Sequence, residues 1–185
     1  MKTGIVRTSV VTLVISAVCL GGCAGGLEPS AFEDGSPQLR PEVFFAGTTQ
    51  SSGVLEDRSG GPTQRLHVQG EGQTLPDGSF QLMQSVTLGR DAPTKRTWVL
   101  RRVDEHRYTA TLTDASGPVE GEAYGDLFHL SYRMASPAGG RMEQWMYLQP
   151  DGRTVVNEAT VSLLGVVVAR LSERITQEGG PPVAR

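Results

Sequence analysis

Few residues in this chain have the types and spacing that catalysis or metal binding requires. The three histidines, His67, His106 and His129, stand at no spacing that suggests a metal site. A Gly-x-Ser-x-Gly nucleophile motif is absent from the sequence. Gly70-Glu71-Gly72 precedes no predicted helix, so it does not indicate a phosphate-binding loop. The sequence therefore predicts no enzyme, no metal site and no cofactor.

Cys23 is the residue whose surroundings indicate a definite chemistry. Lys2 and Arg7 precede an apolar run, residues 10–20, that is too short to span a bilayer. The run ends in Leu20-Gly21-Gly22-Cys23, where two small residues leave the bond before the cysteine accessible to a peptidase. This arrangement resembles the lipobox of bacterial lipoproteins. The resemblance implies that Cys23 carries acyl groups such as palmitate; the alternative is an ordinary secretory signal with an incidental cysteine.

The residue after Cys23 and the overall charge indicate where such a protein would lie. In Gram-negative lipoproteins an Asp after the cysteine tends to retain the protein in the inner membrane, and this chain has Ala24. The resemblance therefore implies a lipid anchor on the periplasmic face of the outer membrane. The net charge is −3, and removal of Lys2 and Arg7 would leave 15 basic against 20 acidic residues, a charge of −5. An acidic chain argues against a nucleic-acid partner.

The rest of the sequence predicts one β domain between two irregular ends. Gly, Pro, Ser and Glu alternate without period after Cys23, which is typical of a flexible tether. No cysteine occurs beyond Cys23, so the domain has no disulfide. The predicted segments are a signal peptide (1–22), a lipidated flexible tether (23–41), a β-barrel domain (42–176) and a flexible tail (177–185).

Alternation of apolar and polar residues predicts the strands of this domain. Phe80 and Leu82, for example, alternate with Gln81 and other polar residues, as expected of a strand with one wet face. The turn signals Pro76-Asp77-Gly78 and Pro150-Asp151-Gly152 separate such runs. Several short strands with regular turns favour an all-β, antiparallel, up-and-down barrel of about 8–10 strands, which leaves no open edge.

Two stretches leave the local structure open. Residues 161–177 fit a strand or a helix, and Gly165 with its three following valines favours the strand. In residues 141–149, either the aromatic set containing Trp145 and Tyr147 or the intervening set containing Met146 faces inward. The sequence does not distinguish these two faces.

Several short motifs of the domain resemble a family of bacterial lipoproteins known as domain of unknown function 3833. The match spans residues 42–176, and its most specific part is the Trp-Met-Tyr-Leu motif followed by Asn-x-Ala. The resemblance implies a lipocalin-like barrel behind a lipobox, and it carries no catalytic residue. The motifs are Phe44-x-x-Gly47, Asp57-Arg58-x-Gly60, Arg96-x-Trp98, Asp114-x-x-Gly117, Trp145-Met146-Tyr147-Leu148 and Asn157-x-Ala159.

An eight-to-ten-stranded barrel can be filled by side chains or can hold a small ligand. Two hypotheses follow. The first is an outer-membrane lipoprotein that binds or carries a hydrophobic ligand such as a lipid or fatty acyl chain. The second is a structural or partner-binding envelope lipoprotein with a filled barrel and no ligand. The residues predicted to line a cavity are Phe80, Leu82, Trp98, Leu100, Tyr108, Leu112, Phe128, Leu130, Tyr132 and Asn157.

Three polar or aromatic features have two interpretations each. Asn157, the only asparagine, falls in an apolar row and either bonds the backbone of a neighbouring strand or contacts a ligand. Trp98 and Trp145 are either core residues or ligand platforms. Asp57-Arg58 is either an ion pair at a strand end or a ligand clamp.

Overall fold

The computed structural model describes residues 26–179 and shows a closed barrel of ten antiparallel strands. Each strand pairs with its neighbours in sequence, and β1 pairs with β10 to close the barrel. The predicted fold class is confirmed, at the upper end of the predicted strand number. The strands are β1 (Gly47–Asp57), β2 (Pro62–Thr74), β3 (Phe80–Leu88), β4 (Thr94–Arg102), β5 (Arg107–Leu112), β6 (Val119–Tyr124), β7 (Leu127–Arg133), β8 (Gly140–Leu148), β9 (Thr154–Leu163) and β10 (Val166–Gln177).

Two short helical segments precede the barrel. A single 3₁₀ turn covers Pro29–Phe32, and helix α1 covers Pro41–Phe44. Within residues 26–179, no helix has the length and apolar character needed to cross a membrane. The predicted signal peptide, Cys23 and residues 180–185 of the predicted tail lie outside the described residues.

Burial along the strands follows the alternation of the sequence. On β8, Gln144, Met146 and Leu148 are buried, whereas Trp145 and Tyr147 between them are only half-buried. The inward face of this strand is therefore the methionine-containing row. Trp145 packs against His129 on the outer surface, with ring centroids 4.2 Å apart, so it is neither a core residue nor a ligand platform.

The two Pro-Asp-Gly sequences form turns of the same construction at one end of the barrel. Asp77 accepts hydrogen bonds from the backbone N–H (3.0 Å) and the hydroxyl (2.6 Å) of Ser79. Asp151 likewise accepts from the backbone N–H groups of Arg153 and Thr154, at 2.9 and 2.8 Å. These bonds lower the pKa of both carboxyl groups, chiefly through Ser79 for Asp77 and through the Arg153 N–H for Asp151. Each aspartate thus fixes the turn that joins its two strands.

Residues 161–177 form the end of β9, a two-residue turn and β10, rather than a helix. Leu164 and Gly165 occupy the turn with φ of 51° and 81°, the conformation that tight hairpins between twisted strands require. The strand interpretation is confirmed, with a turn that the valine-rich sequence conceals.

The second half of the segment predicted as a flexible tether (23–41) packs against the barrel, together with the start of the predicted barrel domain at residue 42. The chain from the 3₁₀ turn to α1 packs across one end of the barrel, where Leu39 is 1% exposed and Phe44 and Phe45 are buried. Gly72 on β2 makes room for this segment, since a Cβ there would lie 2.0 Å from the Phe45 carbonyl oxygen. Apolar residues in an irregular stretch therefore close the barrel. We call this the closed end and the opposite one the mouth.

Candidate ligand cavity

The barrel contains a cavity of about 490 Å³ whose walls are mostly apolar. Its floor is formed by Pro41 and Phe45 at the closed end, and it extends to Leu88, Thr94 and Met134 beside the turns of the mouth, where it is open. The volume lies within the range of roughly 300–1,000 Å³ typical of small-molecule sites. The barrel is therefore not filled by its own side chains.

The cavity lies to one side of the barrel axis. Strands β5 and β6 supply no wall residue, and the space lies against the other eight strands. Of the ten residues predicted to line a cavity, seven are in its wall and three are not. The seven are Phe80, Leu82, Trp98, Leu100, Phe128, Leu130 and Asn157.

The remaining three, Tyr108, Leu112 and Tyr132, face inward but pack in the solid side of the core. Tyr108 stacks edge-on against Phe128, with ring centroids 5.4 Å apart, and its hydroxyl lies 3.5 Å from Oε1 of Glu42 in α1. Burial raises the pKa of Tyr108 to about 12, and the negative charge of Glu42 adds to the shift. Tyr108 therefore holds α1 against the closed end as a neutral phenol.

A charged group is held in place in the cavity wall near the mouth. The Arg96 guanidinium forms an ion pair with Asp114 (Nε to Oδ1, 3.0 Å), donates to the Tyr132 hydroxyl and lies 5.0 Å from the centre of the Trp98 ring. The Trp98 indole N–H donates to Gln84 Oε1 at 2.8 Å. Trp98 is thus a buried wall residue whose polar atom is satisfied by the protein. Its ring borders the cavity, so its fluorescence should respond to a bound ligand.

A second polar group lies deeper, where β1, β9 and β10 meet. Asn157 and Glu173 are directly opposite each other on β9 and β10, and the Asn157 amide donates to Glu173 Oε2 at 3.0 Å. The Ser51 hydroxyl of β1 donates to Glu173 Oε1. We call Ser51, Asn157 and Glu173 the inner polar cluster. Asn157 therefore does not bond a neighbouring strand's backbone through its side chain, as one interpretation expected; it bonds a side chain in the cavity wall.

Glu173 and Gln144 are cavity residues that the sequence analysis missed. Their polar character placed them outside the apolar rows. Glu173 nevertheless lies two residues from both Leu171 and Ile175, which are also wall residues, so the period alone would have found it. Gln144 occupies the same kind of position between Met142 and Met146.

The other residues singled out in the sequence make hydrogen bonds that stabilise the fold. Asp57 accepts hydrogen bonds from the N–H groups of Ser59 (2.7 Å) and Gly61 (3.0 Å) in the β1–β2 turn, and in the described structure no ion pair joins it to Arg58. His106 donates from Nδ1 to the Ala123 carbonyl at 3.0 Å. Between residues 26 and 179, no group of three or more His, Cys, Asp or Glu side chains could hold a metal ion.

The β9–β10 turn exposes apolar side chains beside the mouth. Leu164 is 92% exposed, and Val166 and Val168 are 59% and 40% exposed. The described chain, by contrast, begins at the closed end, where the 3₁₀ turn packs against β6 and β7. Any anchor that precedes residue 26 is therefore attached to the barrel at the end opposite the mouth.

The sequence from residue 17 to residue 177 matches the family described as "Protein of unknown function (DUF3833)". The chain belongs to this family. The resemblance seen in the sequence motifs is thereby confirmed. No curated protein matches the sequence.

Two solved structures share the fold of this DUF3833 chain. One is the S-type phycobiliprotein lyase CPES from Guillardia theta, with a TM-score of 0.59 and 9% identity, over 76% of this chain and 92% of the lyase. The other is a protein of unknown function from the DUF3598 family of Nostoc punctiforme, with a TM-score of 0.56 and 14% identity, over 76% of this chain and 50% of that protein. At these identities the likeness shows a lipocalin-like barrel and carries no activity across.

Proposed function

We propose that this chain is an outer-membrane lipoprotein whose barrel binds a ligand with a long apolar portion, such as a lipid or fatty acyl chain. The observation that carries the proposal is the open cavity of about 490 Å³ with apolar walls. Transfer of apolar surface from water into such a space is favourable by roughly 25 cal/mol per Å². A barrel that served only as a solid scaffold would gain more stability by filling this space.

The cavity is sealed at the closed end of the barrel and opens at the mouth. Phe45 in the floor and Arg96 beside the mouth lie at its opposite ends. An acyl chain would therefore enter past the mouth and lie along the apolar wall. This arrangement supports binding over the second hypothesis of a filled, ligand-free barrel.

Fluorescence of Trp98 tests the proposal directly. Trp98 is in the cavity wall, whereas the only other tryptophan, Trp145, is on the outer surface. In a Trp145→Phe background, addition of a dodecyl-chain amphiphile should change the Trp98 emission in a saturable manner, with one ligand per barrel. An emission that stays constant while the amphiphile remains monomeric in solution would contradict ligand binding.

The anchor is the second part of the proposal. The family match begins at residue 17 and therefore includes the segment around Cys23. The sequence Leu20-Gly21-Gly22-Cys23 after a short apolar run supports acylation of that residue. Three acyl chains hold a protein on a membrane far more firmly than one chain can.

Replacement of Cys23 by alanine should release the protein from the membrane. We expect the wild-type chain to sediment with outer-membrane vesicles and the Cys23→Ala chain to lose at least nine-tenths of that association, because its acyl chains are absent. Cys19→Ala serves as the matched control, since Cys19 precedes the lipobox and should have no effect. Sedimentation of the Cys23→Ala chain with the outer membrane would refute lipidation as the tether.

A further inference from the structure

The inner polar cluster places a carboxylate in the wall of an otherwise apolar cavity. Glu173 is half-buried and projects from β10 opposite Gly53 of β1. A Cβ on Gly53 would lie 2.5 Å from the Ser172 carbonyl oxygen and 3.1 Å from the Cβ of Glu173, so the glycine allows the close approach of β1 and β10 at this position. Ser51 and Asn157 each donate one hydrogen bond to it. Both donors are neutral.

Glu173 has no cationic partner in the described part of the chain. No Lys, Arg or His side chain lies within 4.0 Å of its carboxylate among residues 26–179. Charged groups in protein interiors are normally paired, because removal from water is costly for an unpaired ion. Two donated hydrogen bonds also leave part of the carboxylate's capacity free, since its oxygens offer about four acceptor sites. The carboxylate is therefore held in place but only partly satisfied.

Asn157 shows the same deficit of donors at the same place. The residue is 2% exposed, and its amide nitrogen is committed to Glu173. That bond fixes the orientation of the amide, because the carboxylate oxygen accepts and the amide nitrogen must donate. Oδ1 is then left buried without a donor in the described structure. An unsatisfied buried acceptor is destabilising, so the inner polar cluster holds more acceptors than the protein itself pairs.

The cationic residues of the wall do not balance this excess. Lys95 and Arg170 also border the cavity, but both are exposed and neither lies within 4.0 Å of the Glu173 carboxylate. Arg96 is already paired with Asp114 and bonded to the Tyr132 hydroxyl near the mouth. Its charge is neutralised before a ligand arrives, whereas that of Glu173 is not. The inner polar cluster therefore presents free acceptor sites of Glu173 to a ligand, and no cation lies beside it.

We propose that the inner polar cluster is a head-group subsite that selects amphiphiles whose polar group donates hydrogen bonds, such as a primary amine or a hydroxyl, over those with a carboxylate or an ester. This proposal rests on the proposed function, since it specifies the ligand of the same cavity. A donor head group occupies the acceptor sites of Glu173 that Ser51 and Asn157 leave free. A carboxylate head group brings a second negative charge beside Glu173, and an ester brings acceptors alone.

A panel of four dodecyl compounds with the same chain tests the selection. Dodecylamine, dodecanol, laurate and methyl laurate are titrated into the full barrel domain and followed through Trp98 in the Trp145→Phe background. We expect the amine and the alcohol to bind at least about ten-fold more tightly than the methyl ester, because one hydrogen bond to a charged group accounts for a difference in affinity of that size. Laurate should bind most weakly of the four.

Two variants assign the selection to the cluster. Glu173→Gln keeps the side-chain volume and removes the charge, and it should reduce the preference for the amine over laurate by about ten-fold or more. Asn157→Leu, a second variant that leaves Glu173 and Ser51 in place, should lower the preference for the alcohol over the ester. Glu158→Gln makes the same change of side chain on the outer face of β9 and should leave both ratios unchanged.

The outcomes separate the subsite from the cavity. Binding of all four compounds with equal affinity, or tightest binding of laurate, would overturn the subsite and leave the binding function standing. The same ratios in Glu173→Gln as in the wild type would also overturn it. If none of the four binds, the proposed function itself fails.

Discussion

Replacement of Ala159 by tryptophan is expected to abolish ligand binding while the barrel remains folded. Ala159 is 3% exposed and lies in the cavity wall on β9, between Gln144 of β8 and Leu171 of β10. An indole at this position projects into the space that a ligand would occupy. We expect the affinity for a dodecyl amphiphile to fall on the order of 100-fold or more, because two groups cannot occupy one close-packed volume.

The stability of Ala159→Trp distinguishes a cavity from a filled core. A large side chain forced into a packed interior costs about 1–3 kcal/mol or more, whereas the same side chain entering empty space costs little and can stabilise by burial. Glu158→Trp is the matched control, since Glu158 is exposed on the outer face of the same strand. Strong destabilisation of Ala159→Trp relative to Glu158→Trp in urea unfolding would contradict the cavity.

Replacement of Phe45 by alanine is expected to cause the largest loss of stability. Phe45 is 6% exposed, forms the cavity floor and packs edge-on against Phe44 with ring centroids 5.0 Å apart. Truncation of a buried phenylalanine typically costs about 3–5 kcal/mol, since the removed atoms leave a void. The variant should also lose ligand faster, because the closed end becomes open.

Two further variants test whether α1 acts as the barrel's floor. Val43 lies in α1, two residues before Phe45, and is 63% exposed. Val43→Ala should therefore change the free energy of unfolding by less than about 0.5 kcal/mol. Gly72→Ala should reproduce the effect of Phe45→Ala from the opposite side, since its Cβ would displace the Phe45 carbonyl and the Phe80 ring. Equal stabilities of Phe45→Ala and Val43→Ala would show that the segment does not seal the barrel.

The barrel could be predicted from the sequence because alternation and turn chemistry are local signals. Phe80 and Leu82 face inward for the same reason that Gln81 does not, and the two Pro-Asp-Gly turns contain the bonds that their residue types suggest. Closure by pairing of β1 with β10 follows from the number of strands, because an open sheet would leave two unpaired edges.

The segment from Pro29 to Phe45, which covers the closed end, could not be predicted from the same signals. It has no period, and its Pro, Gly and Ser content is typical of a linker. Its burial depends on contacts with distant strands, such as the approach of Phe45 to Gly72. Three large apolar residues, Leu39, Phe44 and Phe45, within a short irregular stretch were the available signal.

The shape of the cavity likewise could not be predicted from the alternation of inward and outward residues. Alternation assigns Tyr108 and Tyr132 to the interior, but it does not say whether their neighbours fill the space around them. The side near β5 and β6 is solid, because Tyr108 packs on Phe128 and Tyr132 on Trp98. Glu173 was missed because a charged residue seldom faces the interior of a barrel. The donors that stabilise it there, Ser51 and Asn157, lie on other strands, so the alternation within β10 does not show them.

Native mass spectrometry of the protein extracted gently from its own membrane tests the central claim most directly. We expect a native mass of the wild type that exceeds its denatured mass by one apolar molecule, and no such difference for Ala159→Trp prepared in parallel. Identical native and denatured masses for the wild type, together with no response of Trp98 to any added amphiphile, would contradict a ligand-binding barrel.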